Sequence, residues 1–507
     1  MYLSGIRVVH NTLYARGDTP APLTLVGSSS NIAELTNNIL LSAVSGPALV
    51  LGDAANLLAS DGNVLYPGAG SVLVEAGGTP YATLDAWQAA SGLDANSRSF
   101  PLAFANAGVG DLHLAASSDG DPRLAGQPGT GILADFDGEL RNVFNPTIGA
   151  DEATELAPLA GTYDVGTPPP GFPAEDFATL QEGLDAVHYL GVSDDVTLRF
   201  HDDFGGFPVT VRPFDGAAED QRLVVLPYVP ANQYAYSPTD AASNGAIRVE
   251  GADHVTIGYM FIDLTGGTGG HGQALRLEGE VDDLRLPFFG GFGVSGSASS
   301  EAALIGGATA TTTNLWVDQG FFDGGAYGLY LNGGPSSGTT VTNSTFVDLR
   351  AAGIRLIEHD DVTISDVEIT SAQANADGIV LENGQGAAID RARILLTSTA
   401  GLASYAINLS QNGGTPADPV SITNSFLTGG DQGVVILDVD HARFAHNTIR
   451  ALDAAAPGVF RSAGANGTNI QLVNNILVHE GGGRVLSVDD GGESIRRTDR
   501  ALGVRQD

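Results

Sequence analysis

The chain has 507 residues, of which 43% are hydrophobic and only 16% charged, with 68 glycines and no cysteine. That is ample apolar material for a core, so a disordered chain is excluded, and without thiolates there is no disulfide framework and no thiolate zinc or iron–sulfur site. All 23 basic residues are arginine against 59 acidic ones, a net charge of −36, and a field of that sign repels nucleic acid and anionic membrane, so neither DNA nor RNA is an expected partner.

The acidity has three open readings: a solubility coat, the imprint of a GC-rich genome, or an acidic, lysine-free surface resembling those of proteins from salty water. The length fits two to four ordinary domains or one long repeat array. No apolar run approaches the roughly 20 residues of a membrane-spanning helix. The start, MYLSGIRVVHNT, has neither the basic n-region nor the apolar h-region of a signal peptide.

In chain order, the first strong signal is a long-range repeat. RVVHNTLYARGD at 7–18 is echoed by RFAHNTIRALDA at 443–454, and LTNNILLSAVSGPALVLGDA at 35–54 by LVNNILVHEGGGRVLSVDDG at 472–491. His10 pairs with His446 and Asn37 with Asn474, each about 436 residues apart, which points to duplication of a module of that size. Residues 1–152 read as the C-terminal part of a first module, 153–175 as a linker containing PPPGFP, and 176–507 as a second module. The second copy stops short of the counterpart of GNVLYPGAGSVLVEAGG, so a slice of a longer tandem protein is expected.

DFDGELRNVFNPTIGADE at 135–152 has the look of a chain end. Its DFDGE offers only Asp135, Asp137 and Gly138 to a calcium loop that needs five ligating positions and a closing Glu, so a polar turn is expected there. AEDFATLQEGLDAVHYLGVSDD at 174–195 is the one convincing amphipathic helix: Phe177, Leu180, Leu184, Val187 and Leu190 share a face and Gly191 follows as a stop. A helix over 177–190 is expected to cap the N-terminal end of the second module, since an open stack of strands must be covered.

Between 255 and 477 a shorter pattern recurs, as IGYMFI, WVDQGF, VTNSTF, ISDVEI, ITNSFL, FAHNTI and LVNNIL. Its polar centres are Tyr259, Asp318, Asn343, Asp366, Asn424, His446 and Asn474, mostly 22 to 28 residues apart once a coil around Asp390 is counted. Short alternating strands, turn residues and this period predict an all-β fold, a right-handed parallel β-helix (solenoid) with modules in tandem. Asn at a tight turn tolerates the left-handed conformation, and Asn343, Asn424 and Asn474 are expected to stack in a hydrogen-bonded ladder. His10 and His446 occupy the same turn position and read as turn-fillers rather than metal ligands.

Each coil also carries an earlier strand: AIRVEG, ALRLEG, GLYLNG, GIRLIE, GIVLEN, AINLSQ, VVILDV, all but AINLSQ being aligned. Alignment gives one outward column of Arg248, Arg276, Tyr330 and Arg355, followed by Val380 and Ile436. A second column holds Glu250, Glu278, Asn332, Ile357, Glu382 and Asp438; alternation puts both on the outer face of one sheet. Three readings stay open: an inter-rung Arg–Glu ladder, a passive glycan groove, and a lyase site. Other clusters are plainer. FHDDF at 200–204 and EHDDV at 358–362 read as polar corners between strands rather than metal or acid–base sites. GGHGQ at 269–273 holds the G-H-G of polygalacturonases without their N-T-D or R-I-K companions.

The stretch LAGTYDVG…DFATLQEGLDAVHYLGVSDDVTLRF resembles the opening of tandem β-helix modules in large bacterial surface and secreted proteins. YATLDAWQAASGLDANS, DLHLAASSDGDPRLAG and DFDGELRNVFNPTIGADE resemble the C-terminal end of right-handed β-helix proteins of the pectate-lyase-like class. The resemblance implies an extracellular or cell-surface protein, monomeric within a longer chain, with a structural or adhesive role toward polysaccharide or cell-surface glycan. It also implies an alternative, a polysaccharide lyase or other carbohydrate-active enzyme, in which an Arg of the same sheet face acts as base and carboxylates hold calcium. No metal site is assigned and no cofactor is expected, calcium being the one candidate.

Overall fold

The computed structural model describes the chain except residues 1–4, 17–20, 27–30, 143–144, 154–156, 168–175, 202–207, 231, 239–243, 268–271, 295–303, 307–309, 401–403, 455, 457, 465–466, 489–494 and 498–507. PPPGFP of the expected linker, His271 of GGHGQ, and Asp202, Asp203 and Phe204 of FHDDF lie outside the described residues. The chain divides into two compact units: Met1–Tyr163 with Pro173–Asp194 and Phe214–Gly216, and Asp164–Phe172 with Asp195–Pro213 and Ala217–Asp507.

In the first unit three short parallel sheets wind around an apolar interior. Ile6–Val9, Ile32–Thr36 and Ser60–Asp61 form one, Thr12–Ala15, Ile39–Ser42 and Val64–Tyr66 the next, and Leu23–Leu25, Leu49–Leu51 and Val74–Ala76 the third, with Thr79–Tyr81 added antiparallel. Leu35, Leu40, Leu49, Leu65 and Val74 fill the inside. Helix α1 (Leu84–Ser91), not foreseen from sequence, starts on the Thr83 cap and inserts Trp87, whose indole N–H donates to Asp94 at 2.7 Å. The 135–152 stretch is a clasp. Asp135 accepts the amides of Asp137, Glu139 and Glu152, while Arg141 pairs with Glu152 at 2.8 Å and donates to the carbonyls of Thr147, Gly149 and Ala150.

Helix α2 (Leu180–Leu190) opens on a capping box: the Thr179 hydroxyl accepts from the Glu182 amide and the Glu182 carboxylate from the Ala178 amide. The amphipathic face is as expected, but Phe177 precedes the helix and packs on Tyr163 instead, with ring centroids 5.6 Å apart. Residues of α2 group with the first unit. There buried Glu182 senses the charges of Arg98 and Arg123, and the Arg98 guanidinium lies 5.8 Å from the Tyr189 ring centre. Gly191 ends the helix with a φ of +70°, where a Cβ would also lie 2.7 Å from the Asp215 carbonyl. Inside the stretch expected as a linker, Leu159–Val165 is a strand. Apolar at both ends and extended between, it anchors through Asp164, which binds Arg199 at 2.7 Å.

The second unit is a parallel β-solenoid with one strand of each coil in each of three long sheets. Alternation is regular: Ile247–Glu250 and Leu275–Glu278 each read buried, half-buried, buried, half-buried. Inward residues stack in columns; Leu329, Ile354, Ile379, Ile407 and Val434 are in register on successive coils and all fully buried. One coil cannot bury these side chains alone, whereas neighbours at a spacing of about 4.8 Å do.

The turns between strands have the predicted left-handed backbone, with φ of 49° at Asn343, 51° at Asn424, 52° at Asn474, 54° at His10 and 60° at His446. In the WVDQGF coil that position is Gln319, not Asp318, since the coil aligns one residue later. The expected Asn ladder is also displaced by one. Asn343 and Asn424 point outward and donate to Asp318 and Asp390 of the preceding coil. The buried ladder is formed by the next residue: the Asn475 side-chain oxygen accepts from the Asn447 amide and side chain at 2.9 and 3.0 Å, and its nitrogen donates to the Phe444 carbonyl. In the first unit Asn38 does the same toward Asn11, at 2.9 and 3.0 Å, and toward the Val8 carbonyl. The two segments paired by sequence thus share one hydrogen-bond wiring.

Candidate functional site

The expected charged row lies on the 11-stranded sheet of the second unit, and its register can be followed residue by residue. Arg248 pairs with Arg276 and Glu250 with Glu278; Arg276 continues to Ile305, Ile305 to Tyr330, Tyr330 to Arg355, Arg355 to Val380, Val380 to Asn408, Asn408 to Val435 and Val435 to Arg461. The alignment from sequence had omitted the Ile305 and Asn408 coils, so Tyr330 stands two rungs from Arg276 and Val435 two rungs from Val380. It had also slipped by one at VVILDV. The register places Val435 rather than Ile436 in the arginine column, and Leu437 rather than Asp438 in the carboxylate column beside Ser410 and Glu382. Asp438 instead takes the left-handed corner after the strand, with a φ of 51°.

Contacts along the row are uneven. Arg248 donates to the Asn244 carbonyl at 3.0 Å. Arg276 binds Glu278 of its own strand at 2.6 Å. Arg355 is held from two sides: it donates to the Tyr327 hydroxyl at 3.2 Å, lies 5.8 Å from the Tyr330 ring centre, and reaches the next coil to bind Glu382 at 2.9 Å. Tyr327 and Tyr330 are stacked, with centroids 4.6 Å apart and planes within 17°. Of the column's carboxylates, Glu278 and Glu382 each meet an arginine.

A third column, unseen from sequence, flanks this centre. Tyr327, Ala352 and Asp377 are in register, as are Tyr405 and Gln432, and the Tyr405 amide donates to Asp377 at 2.8 Å. The signal was present: each is followed by a small residue, as in YGLYL, AGIRL, DGIVL, YAINL and QGVVI. These small residues form a tight corner, where a Cβ on Gly378 would run into the Ala406 carbonyl and Ile394. Burial raises Asp377 from its ordinary 3.8 to about 6, against the pull of the Tyr405 amide, Asn408 and Arg355, with Glu382 adding to the rise. Burial likewise raises Tyr405 and Asp431, the first with help from Asp431 and Asp377, the second from Asp453. Arg461 acts on both groups from the arginine column.

In EHDDV the short strand His359–Asp360 runs between two left-handed turns, at Glu358 and Asp361. His359 is buried, hydrogen-bonds through Nδ1 to Thr339 at 3.1 Å, and is lowered to about 4 by burial. Asp360 accepts the Gln385 amide. His10 bonds the Thr147 carbonyl and Thr130 and is lowered to about 4 by burial and then by Arg141. In the first unit His113 lies between Asp111 and Asp137, which raise it to about 9, with Asp151 close by. That makes it an ion-paired imidazolium.

A family model described as the right handed beta helix region matches residues 327–497. No curated protein matches the chain. Among solved structures, a GH136 lacto-N-biosidase from Eubacterium ramulus superposes with a TM-score of 0.40 at 9% identity, covering 66% of this chain and 68% of that one. PfbA, a surface adhesin of Streptococcus pneumoniae, gives 0.28 at 11% identity over 59% and 87%. The AlgE4 A-module, a mannuronan C-5 epimerase of Azotobacter vinelandii, gives 0.29 at 12% identity over 64% and 96%. The activities in those names stay with those proteins. The coil register and the family match over 327–497 give the second unit the right-handed parallel β-helix fold.

Proposed function

We propose that this protein is an extracellular or cell-surface β-helix repeat protein that binds an extended polysaccharide along the outer face of its 11-stranded sheet, centred on Tyr327, Tyr330, Arg355 and Glu382. The observation that carries the reading is the Arg355 centre, where a stacked tyrosine pair offers a sugar-binding face beside a guanidinium already oriented by Glu382. Rungs about 4.8 Å apart let successive side chains follow one glycan chain. The shared wiring of Asn11–Asn38 and Asn447–Asn475 supports tandem modules, and tandem copies add avidity to a binding face. Glycan-array binding of wild type against Arg355→Ala and Arg276→Ala tests it: the first variant loses binding and the second weakens it.

A second reading, a carbohydrate-active enzyme, is favoured by one observation. Asp377 near 6 beside Glu382 and Arg355 is a carboxyl able to give or take a proton near neutral pH. Release of reducing ends or unsaturated oligosaccharides by wild type, abolished in Asp377→Asn, would establish it. Binding without product release leaves the protein a lectin-like surface.

A further inference from the structure

The outer face of the 10-stranded sheet, which the glycan reading does not use, carries an aromatic cleft. Gln233, Phe261, Gly290 and Phe321 are in register on successive coils, so no side chain stands on the rung between the two phenylalanines, where a Cβ would meet the Phe321 carbonyl oxygen. Phe261 and Phe321 close toward each other over it, edge to face, with centroids 6.3 Å apart. The register shifts between Gly291 and Val294, and the irregular segment brings Phe292 in as a third wall. Gln233 and Asp323 complete a cleft of ≈ 340 Å³, within the size range of small-ligand sites.

Asp323 is the unusual member. It is partly buried, and among the described residues neither a hydrogen bond nor an ion pair reaches its carboxylate. Burial raises its pKa, and Asp348 raises it further. An unneutralised carboxylate beside three aromatic rings is costly by itself, and a positive ligand offsets that cost.

We propose that this cleft binds an organic cation, an alkyl-substituted ammonium head seated against Phe261, Phe292 and Phe321 with its charge facing Asp323. Ring faces carry negative quadrupole charge and attract ammonium groups, and the −36 net charge draws cations to the whole surface. A neutral sugar fits less well, because Gln233 and Asp323 are the polar side chains among the described lining residues. The ammonium head could be free or carried on a lipid, and the two sources are separated by experiment.

Tetramethylammonium chloride is the probe, followed by saturation-transfer NMR on the full chain, with 3,3-dimethylbutan-1-ol as the neutral counterpart and phosphatidylcholine vesicles as the lipid arm. The expected result is transfer to tetramethylammonium and not to the alcohol. Asp323→Asn should weaken it about tenfold and Phe321→Leu, which keeps apolar bulk without the ring, by a similar factor. Vesicle co-sedimentation lost in Asp323→Asn would place the head on a lipid, and its absence would leave a free cation. Equal transfer to the alcohol, or tetramethylammonium binding unchanged in both variants, would overturn the proposal. The glycan face plays no part in this test, so Arg355→Ala should leave it unaltered.

Discussion

Arg276 and Arg355 occupy one column of one sheet, three rungs apart, and the sheet treats them differently. Arg276 closes on Glu278, two residues along its own strand. Arg355 draws its contacts from the coils on either side: two tyrosines on the preceding rung and Glu382 on the following one. Repetition alone produces the first arrangement, since alternation places an acid beside a base at no cost in geometry. The second needs a stacked aromatic pair, a glycine corner and a carboxyl raised by burial, all meeting at one place. A β-helix is uniform by construction, so its functional ground is sought where uniformity is broken.

The comparison breaks most severely if the corner beneath the Arg355 centre is filled. Gly378→Val should destabilise the protein by about 1–3 kcal/mol or more by overpacking against the Ala406 carbonyl and Ile394, read as a lower denaturation midpoint. An unchanged midpoint would mean that the corner is not tight.

Asp377 sharpens the comparison by its pH dependence. Its folded pKa, about 6, lies above the ordinary 3.8, so between these values the folded state binds more protons than the unfolded one. Stability contributed by the protonated group is therefore full below pH 4 and is lost as pH rises through 6. In Asp377→Asn that loss is absent. Melting of the variant relative to wild type should improve from pH 4 to pH 7, and a constant difference would contradict the assignment.

Stability should register the two arginines unequally but mildly. Arg355→Ala is expected to cost about 1 kcal/mol, because it strips partners from Tyr327 and Glu382, and Arg276→Ala less than about 0.5 kcal/mol, as for an exposed pair. Smallest of all is the global effect of salt. Screening of the −36 net charge should raise the melting midpoint between about 0.05 M and 1 M NaCl, and a flat or falling midpoint would leave the acidic surface as a plain solubility coat.

Much of this was legible in the chain. The coil period, the left-handed turns and the direct pairing of Arg248 with Arg276 and of Tyr330 with Arg355 follow from alternation and turn chemistry. Failures fell where alternation has no phase. Val434, Val435, Ile436 and Leu437 are apolar in succession, so nothing in the sequence says which faces outward, and Asp438 was counted one position early. The Ile305 coil hid among glycines and short residues. Asp377 stayed hidden because its importance is a matter of burial: a carboxyl before a glycine looks like any turn until the coils are stacked.

The central claim is that glycan contact concentrates at the Arg355 centre and not evenly along the row. Its most direct test is titration of one array-selected oligosaccharide into wild type, Arg276→Ala and Arg355→Ala, monitored by calorimetry. The account predicts at least a tenfold loss of affinity for Arg355→Ala, from the loss of the guanidinium oriented by Tyr327 and Glu382, and a several-fold loss or less for Arg276→Ala. Equal affinity for all three proteins would contradict it and return the whole row to an inter-rung ladder.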